Sequence, residues 1–416
     1  MNNLPNTIFS PADILLPDFA DRQDWMGYSV IACDQFTSEV SYWDEAEKLR
    51  GDFSTLDFIL PEAYLGTDRE AAGKARIAEN MKTALSKLRC YENSMVYLER
   101  TLPDGRIRRG IVGKIDLEQY DFTPGSASAV RATEETVTER IPPRVAVRRE
   151  ATVEFPHVMI FADDTKGGVV RRASDMKESL PVLYDFDLML GGGHVCGRLI
   201  SGETLSEICA AVSEYEAERR GSVVYAMGDG NHSLASAKAF YEELKAKLGD
   251  AAADHPARWA LAEIVDLGDE SIEFEPIYRI ITGCAARDIL GALEESVLIH
   301  GTGKTATAVT NDGERSVTLP DIHPLAMGSL QMFLDEYMSR NPGVKCDYIH
   351  GADTLRTLCK DGGVGFLCDG VEKSELFSYV CAHGTLPRKT FSMGEAKSKR
   401  YYLEGRKIVR KTRISA

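Results

Sequence analysis

The stretch Val223-Val224-Tyr225-Ala226-Met227-Gly228-Asp229-Gly230-Asn231-His232-Ser233-Leu234 decides how the chain is read. Its five leading apolar residues are too few for a helix and suit a short buried strand. Two glycines break the run. From Leu234 onward, apolar residues recur at Ala237, Phe240, Tyr241, Leu244 and Leu248, the spacing of one helix face. A strand, a glycine loop and a helix opening at Ser233 make a strand-to-helix junction of the α/β kind. Helix N-terminal amides lack partners and carry about half a positive charge, so such a junction holds phosphate or carboxylate. Gly228 and Gly230 permit positive φ and let a ligand approach the backbone. Asp229, Asn231, His232 and Ser233 set four polar side chains beside those amides. A plainer reading fits equally: Ser233 or Asn231 caps the helix, Gly230 turns the chain, and His232 lies on the surface.

The flanks support a mixed α/β (α+β) chain. Met95–Leu98 and Ile107–Ile115 are separated by Leu102-Pro103-Asp104-Gly105-Arg106, strong hairpin-turn chemistry. Tyr28–Ala32 reads as a strand running into Asp34, and loops at strand ends often carry ligands. Arg69–Leu88 has helical spacing, and His157–Phe161 reads as a buried strand. Gly191-Gly192-Gly193-His194 sits between two strand patterns, so it is a hairpin turn rather than a phosphate loop. The expected parts are an N-terminal mixed α/β part (1–125), a central part with the loop (126–283), and a C-terminal α/β subdomain with a basic, solvated tail (284–416). That tail carries Arg388, Lys389, Lys397, Lys399, Arg400, Arg406, Lys407, Arg410, Lys411 and Arg413.

Composition narrows the function classes. The 416 residues are 44% hydrophobic and 27% charged, which argues against disorder and coiled coils. A net charge of −15 excludes a broad nucleic-acid or anionic-membrane surface. No stretch has the roughly 18 apolar residues of a membrane span, and MNNLPNTIFSPADILLPDFADR lacks the basic and apolar regions of a secretory leader. Nine scattered cysteines without a C-x-x-C pair fit reduced thiols in a cytoplasm. No G-x-S-x-G or H-E-x-x-H occurs, and the dispersed histidines form no local metal cluster. His300-Gly301-Thr302-Gly303-Lys304-Thr305 imitates a P-loop, but Leu298 stands where glycine is required and a hairpin pattern follows.

Charge for an anion must come from elsewhere than the loop. Arg131, Arg140 and Arg144 lie in a segment interleaved with glutamates and could clamp phosphates by bidentate bonds, with Glu134 as base or magnesium ligand. A salt-bridged surface stretch is the competing account. Arg279, in the apolar run Phe274–Ile281, is a further candidate, since charge seldom ends a buried strand without a partner.

The segments AMGDGNHSLASAKA, RWALAEIVDLGDESIEFEPIYRI and LPRKTFSMGEAKSKRYYLEGRKI resemble the bacterial family known as domain of unknown function 1015, and the resemblance extends to YSVIACDQ and DYIHGADTLRTL. That family's loop is usually D-G-H-H-R, against Asp229-Gly230-Asn231-His232-Ser233 here. Its H-E-x-T element is matched by Glu134 and Thr136, with Thr133 in place of histidine. The loop is also similar to the nucleotide-phosphate loop of the ParB and sulfiredoxin fold, which includes free-serine kinases. This second resemblance implies a ParB/sulfiredoxin-like central core with additional N- and C-terminal α/β subdomains. It implies phosphate binding by the loop residues Gly228, Gly230, Asn231 and Ser233, with Ser233 standing where that loop has arginine; Arg131, Arg140, Arg144, Arg279 and Asp34 are the further ligand-binding candidates read from the residues themselves. Glu134, Asp229 and His232 are the implied catalytic residues. The expected reaction is nucleotide-dependent phosphoryl transfer to a small amino-acid-like molecule, with Mg2+ and either ATP or ADP as cofactor. The alternative is a regulatory protein that binds a nucleotide or small ligand without chemistry; a scaffold is a third class. No nucleic-acid or membrane partner is expected.

Overall fold

Consecutive residues of the strand Arg89–Thr101 explain the architecture of the larger part of the molecule. Val96 and Leu98 belong to one apolar cluster, Met95 and Tyr97 to another. Side chains alternate across a strand, so an unbroken apolar run needs both faces of its sheet covered. The computed structural model describes residues 7–410. The first six residues of the opening segment, and Lys411 and Arg413 of the basic stretch, lie outside them.

The described residues fall into two compact units, one of residues 7–272 with 395–410 and one of 273–394. The first holds an eleven-stranded mixed sheet. Its main path runs Tyr120–Asp121, Val130–Arg131, Tyr225–Asp229, Met159–Ala162, Trp259–Asp266, Ile107–Asp116, Arg89–Thr101, His194–Ile200, Val182–Asp187. Helices Gly202–Glu218 and Asn231–Leu248 contribute Ile208, Val212, Leu234 and Tyr241 to the cluster that holds Met95 and Tyr97. Trp25, Trp43 and Tyr28 fill the other. The second unit has a six-stranded sheet around Phe274–Thr282, covered by the helices Ala286–His300 and Ala326–Arg340. The chain is therefore mixed α/β throughout.

These boundaries differ from the three expected parts. The strand Phe274–Thr282 pairs with Lys345–His350 and Val364–Leu367, so the smaller unit starts before residue 284. Residues 1–125 and 126–283 share one sheet, because Ile107–Asp116 pairs with Trp259–Asp266.

Several local expectations change for physical reasons. Tyr28 ends the helix Arg22–Tyr28, and Ile31 makes only an isolated bridge, to Tyr401. The helix from Arg69 stops at Met81, and a separate 3-10 turn spans Ala84–Lys87. The two hairpins stand, and so does the rejection of the P-loop, since Thr302–Thr310 pairs with Gly313–Pro320. The tail is corrected most. Arg400 and Arg406 are buried, Tyr402 donates its N–H to the Val30 carbonyl, and Arg406 pairs with Glu154 across a short two-stranded ladder. Solvation is replaced there by ion pairs. Arg400 Nε lies 2.7 Å from Glu263 and Nη2 2.6 Å from Glu404, whose other oxygen accepts from Tyr184. Arg406 Nε meets Glu154 at 2.8 Å, and Arg148 meets the same carboxylate.

Candidate functional site

The strand Tyr225–Asp229 runs parallel to Val130–Arg131 and antiparallel to Met159–Ala162. Its register slips between Met227, opposite Ile160, and Asp229, opposite Met159. Gly228 is the extra residue of that bulge, and a β-carbon there would meet the Phe161 ring at 2.9 Å. Bulges re-aim side chains next to sites. Gly230 follows with φ +83°, and its absent β-carbon would stand 3.0 Å from the Val158 Cα. Only glycine meets both demands without strain.

The helix opens at Asn231 rather than Ser233, with Gly230 in the cap position and no side-chain cap hydrogen bond. The capping account of Ser233 and Asn231 therefore falls. Asp229 Oδ1 accepts from the Gly230 N–H at 3.0 Å. Its Oδ2 and the Asn231 Oδ1 are buried atoms with no hydrogen-bond partner. Native structures leave few such atoms, and each costs about 1–3 kcal/mol until something satisfies it.

A second segment lies over the loop. Thr133 Oγ1 donates to the Met227 carbonyl at 2.9 Å, and the Val137 N–H donates to His232 Nε2 at 3.3 Å. Between those two anchors stand Glu134 and Thr136, and Thr136 Oγ1 is a third buried atom without a partner. The segment that carries Glu134 and Thr136 in the sequence thus lies against the loop, and Thr136 was not among the residues given a role there.

The arginines are placed differently. Arg131 is buried in the strand Val130–Arg131, opposite Ala226, and its Nε donates to the Ser128 carbonyl at 2.8 Å. Arg140 is exposed on the 3-10 turn Thr138–Arg140. Arg144 is bound to Glu62. Arg279 belongs to the smaller unit, fully buried, where Gln331 and the carbonyls of Ile277, Arg388 and Lys389 hold its guanidinium. Arg388 itself pairs with Asp335 at 2.6 Å.

A cation whose charge is felt at Asp229 is one the sequence did not single out. Arg108 is buried, donates to the Ser398 carbonyl at 2.9 Å and lies 3.8 Å from Glu263. Burial, and repulsion from Arg400, hold its guanidinium below its usual value, against the opposing charges of Glu263, Asp229 and Asp269. Asp34 is half-buried beside His157, at 3.9 Å, and takes a hydrogen bond from the Gln35 amide at 2.9 Å. Burial pushes its carboxyl up, but His157, Gln35 and Lys399 together outweigh that and hold it below the usual carboxylate value. A hairpin arginine and a strand-end histidine carry no local pattern that marks them.

Among the described residues no group of three or more His, Cys, Asp or Glu could hold a metal ion by itself. No helix there is long and apolar enough to cross a membrane.

Solved structures with some likeness include a mutant free serine kinase in complex with ADP (12% identity, TM-score 0.38, covering 73% of this chain and 93% of that one). A free serine kinase in complex with AMP aligns at 13% identity and TM-score 0.38, over 72% and 91% of the two chains. A conserved hypothetical protein from Pyrococcus furiosus aligns at 12% and 0.35, over 72% and 95%. No curated protein matches. The family model described as "Protein of unknown function (DUF1015)" matches residues 18–347, and the chain belongs to that family.

Proposed function

We propose that the loop 228–233 binds the phosphates of a nucleotide, and that the protein transfers a phosphoryl group from it to the hydroxyl of a small amino-acid-like substrate. One observation carries this reading. Asp229 Oδ2 and Asn231 Oδ1 are buried without partners, directly beside a helix start whose amides have no side-chain cap. The amides call for an anion and the oxygens for a cation or a strong donor. A phosphate carrying a divalent cation satisfies both at once.

The donor set fits magnesium. Asp229, Asn231 and Thr136 offer hard oxygens, and Mg2+ is usually held by one or two carboxylates plus phosphate oxygens and water rather than by an all-protein cage. When bound, it would neutralise charge on the phosphates. The chain's own part is to hold the phosphates at the Asn231–Ser233 amides and to order the Glu134 segment through His232. Positioning and charge neutralisation supply most of the acceleration in this chemistry.

A second reading, ligand binding without transfer, is favoured by one contact: His232 Nε2 accepts the Val137 N–H, so this imidazole is engaged in holding the segment. Thermal shift with ATP, ADP and CTP, each with and without magnesium chloride, tests the first reading. A magnesium-dependent rise in melting temperature with at least one nucleotide is expected; no rise with any of them overturns it. Consumption of the stabilising nucleotide in the presence of a panel of hydroxyl amino acids then separates the two readings, because binding without turnover leaves the second.

A further inference from the structure

A buried histidine that the proposed function leaves unused stands at the edge of the same loop. His157 is 6% exposed and lies two residues before Met159, the register partner of Asp229. Its neighbour Val158 is the residue packed on Gly230. The ring meets Tyr402 edge-on, with centroids 5.3 Å apart, and Nδ1 lies 2.8 Å from the Tyr402 hydroxyl. That hydroxyl also accepts the Cys33 N–H at 3.3 Å. The hydroxyl thus ties the imidazole to the turn that carries Asp34. Nε2 faces Asp34 Oδ2 at 3.9 Å, too long for a hydrogen bond and within reach of charge.

The arrangement is rigid on one side and open on the other. Residues 30–32 are laced to 400–402, by Tyr402 N–H to the Val30 carbonyl and Ala32 N–H to the Arg400 carbonyl. This fixes Tyr402 and the turn that carries Asp34. His157 and Tyr402 are buried, whereas the Asp34 side chain keeps 32% of its surface. A reachable carboxylate held by the Gln35 amide, with a buried imidazole 3.9 Å away that is itself fixed by a phenol, is an arrangement suited to a proton acceptor whose surroundings are set by its neighbours.

We infer that Asp34 is the proton acceptor of the reaction proposed above, with His157 and Tyr402 as its positioning residues. The inference rests on the phosphotransfer reading and adds the base to it. As the substrate oxygen bonds to the γ-phosphorus, its proton passes to the Asp34 carboxylate. The bond from that phosphorus to the bridging oxygen breaks, and the electron pair leaves with the nucleoside diphosphate. Protonated Asp34 then returns its proton to water. The groups facing Asp34 are His157, Gln35, Lys399, Cys33 and Tyr402.

The test compares the full chain with Asp34→Asn, His157→Gln and Tyr402→Phe, using Mg-ATP thermal shift, turnover and its pH profile, and a carbon-13 titration of the aspartate carboxyls. Asp34→Asn should keep the Mg-ATP shift and lose turnover about a hundredfold or more. His157→Gln and Tyr402→Phe should lower kcat about tenfold with KM unchanged, within the usual reach of a group acting through another. In His157→Gln the Asp34 midpoint, and with it the acidic limb of the pH profile, should move up, because one of the groups pulling it down is gone. Unchanged turnover in Asp34→Asn, or loss of the Mg-ATP shift together with turnover, overturns the acceptor role. An Asp34 midpoint unmoved in His157→Gln overturns the positioning role. A wild-type protein with no nucleotide shift at all marks failure of the proposed function instead. The carboxyl titration, which needs no ligand, still decides whether His157 orients Asp34.

Discussion

The loop 228–233 and the segment 395–410 both carry polar groups into the interior of the larger unit, and they treat them in opposite ways. Around Arg400 each charge meets its opposite: Glu263 and Glu404 flank the guanidinium, and the Glu263 oxygen that lacks a hydrogen bond faces Arg108 at 3.8 Å. Burial disfavours the Arg400 charge, yet the two carboxylates outweigh it and raise its hold on the proton. At the loop, Asp229 Oδ2, Asn231 Oδ1 and Thr136 Oγ1 have no such partner. A buried charge with its partners in place is part of the fold, whereas a cluster of buried acceptors without partners is a cost that a ligand can repay. Charge content alone does not distinguish the two, because the segment with more charge is the one whose charges meet opposite charges.

Substitutions should separate these regions sharply. The largest effect is expected from Arg400→Met, which strands Glu263 and Glu404 in the interior. Breaking a buried pair from one side costs about 3–5 kcal/mol. Urea unfolding should show that loss, and a change under about 1 kcal/mol would mean the network is not holding the segment. Gly230→Ala comes next, at roughly 1–3 kcal/mol, from its positive φ and the 3.0 Å approach to Val158. A crystal structure of this variant should show the loop displaced from Val158, and an unmoved loop would refute the claim of tight packing. Asp229→Asn should be smallest in stability, within about ±0.5 kcal/mol, because one of its oxygens has nothing to lose. The same variant should abolish the magnesium-dependent part of any nucleotide thermal shift. If it instead unfolds the protein, the loop belongs with the structural region and the contrast fails.

What the sequence revealed follows from the range of the contacts involved. The hairpins, the strand before the loop and the long helix after it were readable, because alternation, turn residues and helical spacing are local signals. The approach of Thr133–Val137 to the loop came through the resemblance of its Glu134 and Thr136 to a family element. The basic stretch was misread because its partners are remote: Arg400 and Glu263 are 137 residues apart, Arg406 and Glu154 are 252. No local pattern distinguishes a lysine- and arginine-rich stretch that is solvated from one that threads a core. His157 was read as the start of a buried strand, but that strand begins at Met159, and the contact of its ring with Tyr402, 245 residues away, leaves no local mark. Arg144 was legible as a cation, yet its commitment to Glu62 was not.

The lacing of residues 395–410 into the larger unit also bears on how the protein comes into being. That segment is translated after all of residues 273–394, which have their own sheet and core. At about 5–20 residues per second, the ribosome takes several seconds to cross that insertion. Throughout that time Glu154 and Glu263 have no Arg406 or Arg400 to meet, and the strands that carry them must wait with their carboxylates in water. The smaller unit, later in sequence, is then the first able to finish folding. The larger one closes only when its last threads emerge, so birth order and maturation order run in opposite directions along this chain.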